Sequence, residues 1–357
     1  MAIALGRSRL VAQGLITRPY ETAVDAITAF GAMQGQDLPG VLASAALRTP
    51  SNSVQDVLEH LNEGRIVRGY PMRGTVFLMP ASDLLWITEL CAKPSIRAAV
   101  ARWPELHEGI LDQARDLTVA LLGDGTLSRA DLFGGWEAAG VSAAEGRGYH
   151  LLSHLIMEGT VCYGPWNGTD QDVALTSTWL PAGTGLEARF NGDRDAATAE
   201  LMRRYFTTHG PATVRDFAWW TKLTLAQIRR GLALIEGKFE TDGEAEPSYW
   251  RPGLMEETQA LGRATATPLL LPGFDEFILG YQDRLFAMSA DEHHRLVPGN
   301  NGVFKRSIVV GGKVVGIWTR AGRPGKRRLQ VDAFTDHSPT TVKRVENLFA
   351  QFPFVGA

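Results

Sequence analysis

Two glutamines, Gln34 and Gln36, stand two residues apart around Gly35 in the stretch MQGQD, at the end of an apolar helical pattern. On a continuing helix their side chains diverge by about 200°. If the chain leaves the helix at Gly35, both amides point into one cleft. A neutral amide takes no proton as a base, but it orients a water and presents a carbonyl oxygen to developing positive charge. That chemistry suits cleavage of a glycosidic bond whose leaving group is already activated. An N7-alkylguanine is cationic and departs easily, and the sugar becomes an oxocarbenium-like centre that needs a placed water. The same residues also suit a solvated linker, and Asp37 suits either a helix cap or a general base.

Other chemistry is sparse. GxSxG, HExxH, GxGxxG and Walker loops are missing from the sequence. His293 and His294 are adjacent, point apart on any regular element, and read as surface residues. Asp275, Glu276 and Asp283 in GFDEFILGYQDR would allow a carboxylate pair, but a turn cap bonded to Arg284 is preferred. Cys91 and Cys162 fit neither a disulfide scaffold nor metal-ligand spacing, so no metal and no cofactor are expected.

With 36 Lys plus Arg against 39 Asp plus Glu, the net charge is -3. That excludes a basic coat and leaves room for a basic face. Arg48, Arg65, Arg68 and Arg73 crowd one region, Arg203 and Arg204 another, and Arg229 and Arg230 lie on a third helix. The run RAGRPGKRR holds Arg320, Arg323, Lys326, Arg327 and Arg328 without an acid. Each cluster alone reads as solvated surface, but together they make DNA the expected partner. A composition of 45% hydrophobic and 21% charged residues excludes a disordered chain. The chain has no signal-type segment and no run approaching the roughly 20 apolar residues that span a bilayer, so a reducing cytoplasm is the expected location.

The elements that must position these residues recur. Three segments repeat one order: helices from residue 5 onward and a hairpin ending at 80, helices from 112 running into strands, and helices over 194–239 followed by a strand. VLASAALR, VQDVLEHLNEG and the 194–209 helix are clear cases, with Ser128 and Asp131 placed as a capping pair and TSTW as a returning strand. Three diverged copies of one winged helix-turn-helix unit explain this order. The last third changes character: SIVV and KVVGIW flank Gly311 and Gly312 as a hairpin, and TTVKRVENLFAQF is a closing helix.

The chain resembles the AlkZ- and YcaQ-like bacterial winged-helix DNA glycosylases along nearly all its length. The resemblance rests on RSRLVAQGL, MQGQDLPGVLASAALR, GPATVRDFAWWTKLTLAQIR, LLPGFDEFILGYQDR and NGVFKRSIVVGGKVVGIW. It implies an α+β, C-shaped molecule: a first winged helix with the catalytic motif in 1–85, a second in 86–190, a third in 191–260, and a β-rich region in 261–357. It further implies a monofunctional, monomeric enzyme that releases N7-alkylguanine-type bases from double-stranded DNA and unhooks interstrand crosslinks. The implied role is self-resistance to a DNA-alkylating natural product or broad alkylation repair. The family signature Gln-x-Gln falls on Gln34, Gly35 and Gln36, which would position the water and stabilise the sugar cation. Arg48, Arg65, Arg73, Arg229, Arg230, Arg323, Lys326 and Arg327 are the expected DNA contacts, and 307–320 the expected duplex-probing hairpin. The competing expectation is a non-enzymatic winged-helix DNA binder or regulator.

Overall fold

The computed structural model of the chain describes residues 2–104, 106–323 and 326–355, without the side chains of residues 2–4 and 300. One order of elements occurs three times: helix, short strand, helix, helix, hairpin. After α1 (Ala2–Ala12) come α2 (Ala23–Phe30), β1 (Met33–Gln34), α3 (Leu38–Ala46), α4 (Val54–Asn62), β2 (Ile66–Met72) and β3 (Thr75–Pro80). Two helices, α5 (Leu84–Cys91) and α6 (Lys93–Arg102), lead to the next set. It comprises α7 (Glu108–Leu122), β4 (Thr126–Leu127), α8 (Arg129–Ala138), α9 (Arg147–Met157), β5 (Val161–Trp166) and β6 (Gln171–Leu175). Short helices α10 (Thr176–Trp179) and α11 (Leu186–Phe190) follow. The third set is α12 (Arg194–His209), β7 (Ala212–Thr213), α13 (Val214–Thr221), α14 (Leu225–Ala233), β8 (Glu240–Thr241) and β9 (Ser248–Trp250). Each time the short strand pairs antiparallel with the second strand of the hairpin.

Polar starts fix these helices. Thr22, Thr213 and Thr224 each form a reciprocal capping box with the residue three on, and Ser53 and Ser128 accept from the amides of Asp56 and Asp131. Asp37 stands at the N-cap of α3 with Pro39 behind it, yet its side chain makes no capping bond. The segment TSTW is α10 and not a strand. The Thr176 hydroxyl donates to the Gly159 and Thr160 carbonyls and turns the chain out of the sheet. The returning strand is β6, just before it.

The rest of the chain holds α15 (Leu254–Leu261), β10 (Leu269–Leu271), α16 (Glu276–Leu279), α17 (Ala290–Leu296), β11 (Ser307–Val310), β12 (Lys313–Ala321), β13 (Arg328–Ala333) and α18 (Pro339–Ala350). β10 to β13 form one sheet in that order. The first two hairpins merge into a six-stranded sheet, β1-β3-β2-β5-β6-β4, joined where Arg68 pairs with Tyr163. One core unites Phe30, Leu42 and Leu78 with Leu270, Trp318 and Val345, so the C-terminal region closes over the first set. The second set has its own core around Trp136, Leu151 and Leu155. Each large apolar side chain so buried contributes roughly 1.5–3 kcal/mol. Among the described residues no helix is long and apolar enough to cross a membrane.

The β11–β12 hairpin turns at Gly311 and Gly312, but it is not free to probe a duplex. Both glycines are buried, and a Cβ on Gly6 of α1 would overlap the Gly312 carbonyl. The expectation for 307–320 as a probing hairpin is therefore corrected: its tip is a packing contact.

Candidate active site

The glutamine motif does not sit at a helix end. α2 stops at Gly31, which takes φ 76°, and Gln34 belongs to β1, opposite Phe77 of β3. β1 is an edge strand. The Gly35 amide donates to the Val76 carbonyl of β3 at 2.8 Å, while the Gln34 amide faces the other way and donates to Glu276 Oε1 at 2.6 Å. A buried carboxylate thus stands where a neighbouring strand would be. The Gly35 carbonyl accepts from Arg68 Nη2 at 2.8 Å, and Arg68 Nη1 donates to Gln171 Oε1 at 2.6 Å. The Gln34 side chain is nearly buried, with its Oε1 3.5 Å from the Thr75 hydroxyl. Gln36 is exposed, and among the described residues its amide has no protein partner. The Gln34 backbone is held and its side chain nearly buried, whereas the Gln36 side chain, in the bend after β1, is left open.

Glu276 is itself held. Its Oε2 lies 3.2 Å from His209 Nε2, so the tautomer protonated there donates to the carboxylate. His209 is fully buried, stacks on Tyr205 at 4.4 Å, and has its pKa lowered by burial against the opposing pull of Glu276. Its carbonyl accepts from the Tyr281 hydroxyl at 2.8 Å, and that hydroxyl accepts from Gln13 Nε2 at 3.2 Å. Gln13 Oε1 in turn accepts from Arg48 at 2.8 Å. Burial would raise the Asp275 pKa, but the two-pronged Arg48 contact at 3.0 Å, with Ser44 and the Phe277 amide, holds it below the usual range. Asp275 therefore caps α16 as its position suggests, but its partner is Arg48 and not Arg284.

This corrects one expected DNA contact. Arg48 is wholly buried and already engaged with Asp275, Ser44 and Gln13, so no phosphate reaches it. Arg68 and Arg204 are buried likewise, the latter on Asp83 and Glu200. Arg65 and Arg230 are exposed and pair with Glu63 and Asp195 at 3.0 and 2.8 Å. Arg229, Arg323 and Lys326 are exposed with no ion pair among the described residues. Arg327 is half-buried, 4.6 Å from the Phe354 ring.

Arg73 is different. It occupies the β2–β3 turn at φ 58°, beside Thr75, with Nε and Nη2 buried and without a hydrogen-bond partner. Burial draws its pKa down to about 10, against the pull of Glu276. Its guanidinium lies 4.5 Å from the Trp219 ring, whose other cationic neighbours are Arg284 at 4.8 Å and Lys222 at 5.8 Å. Arg284 also covers Phe304 at 5.0 Å, and Phe304 packs on Phe274. Beyond that contact, the Gly273 carbonyl and the Asp37 carboxylate both lie against Gly40, and Arg306 feels the Asp37 charge. Cations with no ion pair among the described residues thus flank the motif on both sides. The sequence reading missed Lys222, Arg284, Arg306, Trp219 and His209. FAWWTK and GYQDR were visible, but nothing local says they meet Arg73.

Comparison with known proteins gives this mixed helix-and-sheet chain its class, a DNA glycosylase. The chain belongs to the AlkZ-like DNA glycosylase family, whose model matches residues 27–352. It is 26% identical over 361 residues to the interstrand DNA cross-link repair glycosylase of Streptomyces sahachiroi, covering 95% of this chain and 92% of that one. The solved structure of Streptomyces sahachiroi DNA glycosylase AlkZ shares the fold, with a TM-score of 0.75 and 21% identity over 98% of this chain and 95% of that one. Membership of an enzyme family sets aside the expectation of a non-catalytic regulator.

Proposed function

We propose that the chain is a monomeric, monofunctional glycosylase that hydrolyses N7-alkylguanine-type glycosidic bonds in double-stranded DNA and unhooks interstrand crosslinks. The observation that carries this reading is a nearly buried Gln34, clamped through its backbone on the edge strand β1, with an exposed Gln36 two residues on. The relative named for crosslink repair supports the substrate class. In the reaction, water oxygen bonds to C1′ as the C1′–N9 bond breaks. The bond electrons neutralise the cationic purine, which leaves as the free base, and an abasic site remains. The two amide oxygens face the sugar cation and orient the water. Neutral amides cannot take the water's proton, so it passes to Asp37, the adjoining carboxylate whose side chain is not spent on capping α3. The motif carries no lysine, which favours hydrolysis over β-elimination.

We assign winged helices to 1–85, 86–190 and 191–260, and a β-rich region to 261–357, in a C-shaped whole. The recurring element order and the repeated pairing of short strand with hairpin support this division. Phosphates meet Arg65, Arg73, Arg229, Arg230, Arg323, Lys326 and Arg327, joined by Lys222, Arg284 and Arg306. The enzyme works where the DNA is, in the cytoplasm. A duplex with a nitrogen-mustard N7-guanine crosslink, one with N7-methylguanine and one with an azinomycin-type crosslink test the reading on denaturing gels after alkaline workup. Release by the wild type and a hundredfold or greater loss in Gln34→Ala or Gln36→Ala is expected. Duplexes that all stay intact while bound would overturn it. Release confined to the azinomycin-type adduct would mark self-resistance.

A further inference from the structure

A cleft of about 710 Å³ opens where the β2–β3 turn, α6 and α9 meet. It adjoins the glutamine motif, because Arg73 and Gly74 on its wall directly precede Thr75, the neighbour of Gln34. One wall is aromatic. Trp103 and His150 stack at 3.8 Å, and the Tyr70 and Tyr149 hydroxyls meet at 2.8 Å. Three cations, Arg73, Arg102 and Lys222, also line it, and among the described residues no Asp or Glu does. The Arg73 guanidinium keeps two buried nitrogens without a partner, a costly arrangement unless something anionic completes it. None of these residues belongs to the motif or to the network behind it.

Flat rings beside unpaired cations match the two halves of a nucleotide, a base and its phosphate. The volume exceeds what one nucleotide fills. We propose that this cleft is a second DNA subsite that takes one unstacked nucleotide flanking the scissile one, its base against the Trp103–His150 wall and its phosphate at Arg73 and Lys222. The nucleotide held is a neighbour of the lesion and not the lesion itself. A crosslinked base is tethered to the opposite strand, whereas its neighbour swings out at the cost of unstacking alone. Eversion beside the lesion opens a path for water to C1′. This rests on the DNA reading above.

Photocrosslinking tests it. Duplexes with a tetrahydrofuran abasic-site analogue carry 5-iodouracil at single positions on either side, on each strand. After irradiation with the full-length protein, adducts are mapped by mass spectrometry. One flanking position is expected to label the peptides bearing Trp103 or Tyr149. Ala98→Trp, on the exposed face of α6 at the cleft, fills it without removing a core contact and is expected to abolish that adduct. It should also lower kcat/KM on N7-methylguanine duplex about tenfold, and Trp103→Ala should do the same where Trp103→Phe does not. Duplex retained in a gel shift with adducts only elsewhere, or an Ala98→Trp protein of wild-type rate, would sink the subsite and leave the glycosylase standing. Neither duplex binding nor base release by the wild type would sink both.

Discussion

The Arg48 guanidinium meets Asp275 at 3.0 Å with both side chains shut off from solvent. Removing one partner of such a pair strands a buried charge. Arg48→Ala is expected to cost about 3–5 kcal/mol in urea unfolding. It should not change the slope of DNA affinity against salt, because Arg48 displaces no counterion from a phosphate. Arg284→Ala and Arg306→Ala strand no buried charge, so they should cost less stability than Arg48→Ala and lower the salt slope by about 1 each. Glu276→Ala leaves the Gln34 amide and His209 unanswered, so a stability loss of about 1–3 kcal/mol per stranded group is expected. Base release should drop with it, and measuring both separates misplacement of Gln34 from unfolding. Residue types alone showed the glutamine pair and the Asp275–Glu276 doublet. Their meanings depend on partners 227 and 242 residues away in the chain, which no local spacing encodes. An arginine likewise reads the same whether it ends in water, as Arg229 does, or inside, as Arg48 does.

Elements were more legible than contacts. The α12 helix spans 194–209 as read from the sequence, with Asp193 as its cap, and the SIVV–GG–KVVGIW turn forms β11 and β12 as alternation and paired glycines dictate. The TSTW segment failed because three β-favouring residues outweighed a hydroxyl that turns back on Gly159. The hairpin's role failed for another reason: a Gly-Gly tip looks free in sequence, yet here it lets two backbones touch. Gly312 has φ 80° as well as that contact. Gly312→Ala is expected to lower the melting temperature by several degrees, with DNA binding per folded molecule unchanged. Weakened binding at full stability would restore the hairpin as a DNA contact.

Across the whole molecule, two buried groups tie stability to pH in one direction. His209 and Asp275 both have folded pKa values below their ordinary ones, the first through burial, the second through Arg48 prevailing over burial. The unfolded chain therefore binds more protons as pH falls, and stability declines. The loss should begin below about 6.5, the usual imidazole value, and resume below the usual carboxylate value near 4. Each group contributes at most about 1.4 kcal/mol per pH unit. Urea midpoints at pH 7.5, 6.5 and 5.5 check the first window; a flat profile would mean that His209 binds its proton as readily folded as unfolded, and stability rising toward pH 5.5 that it is charged inside.

The hairpins of the first two element sets share one sheet, and Arg68 at their seam holds the Gly35 carbonyl as well as Gln171. The two arms therefore cannot be parted like a clasp without tearing a strand pair and releasing the loop between Gln34 and Gln36. On the proposed reading, a tethered lesion is brought to this preformed edge by sliding along it. The edge that carries the two glutamines is a fixed rail, and compliance is left to whatever docks on it.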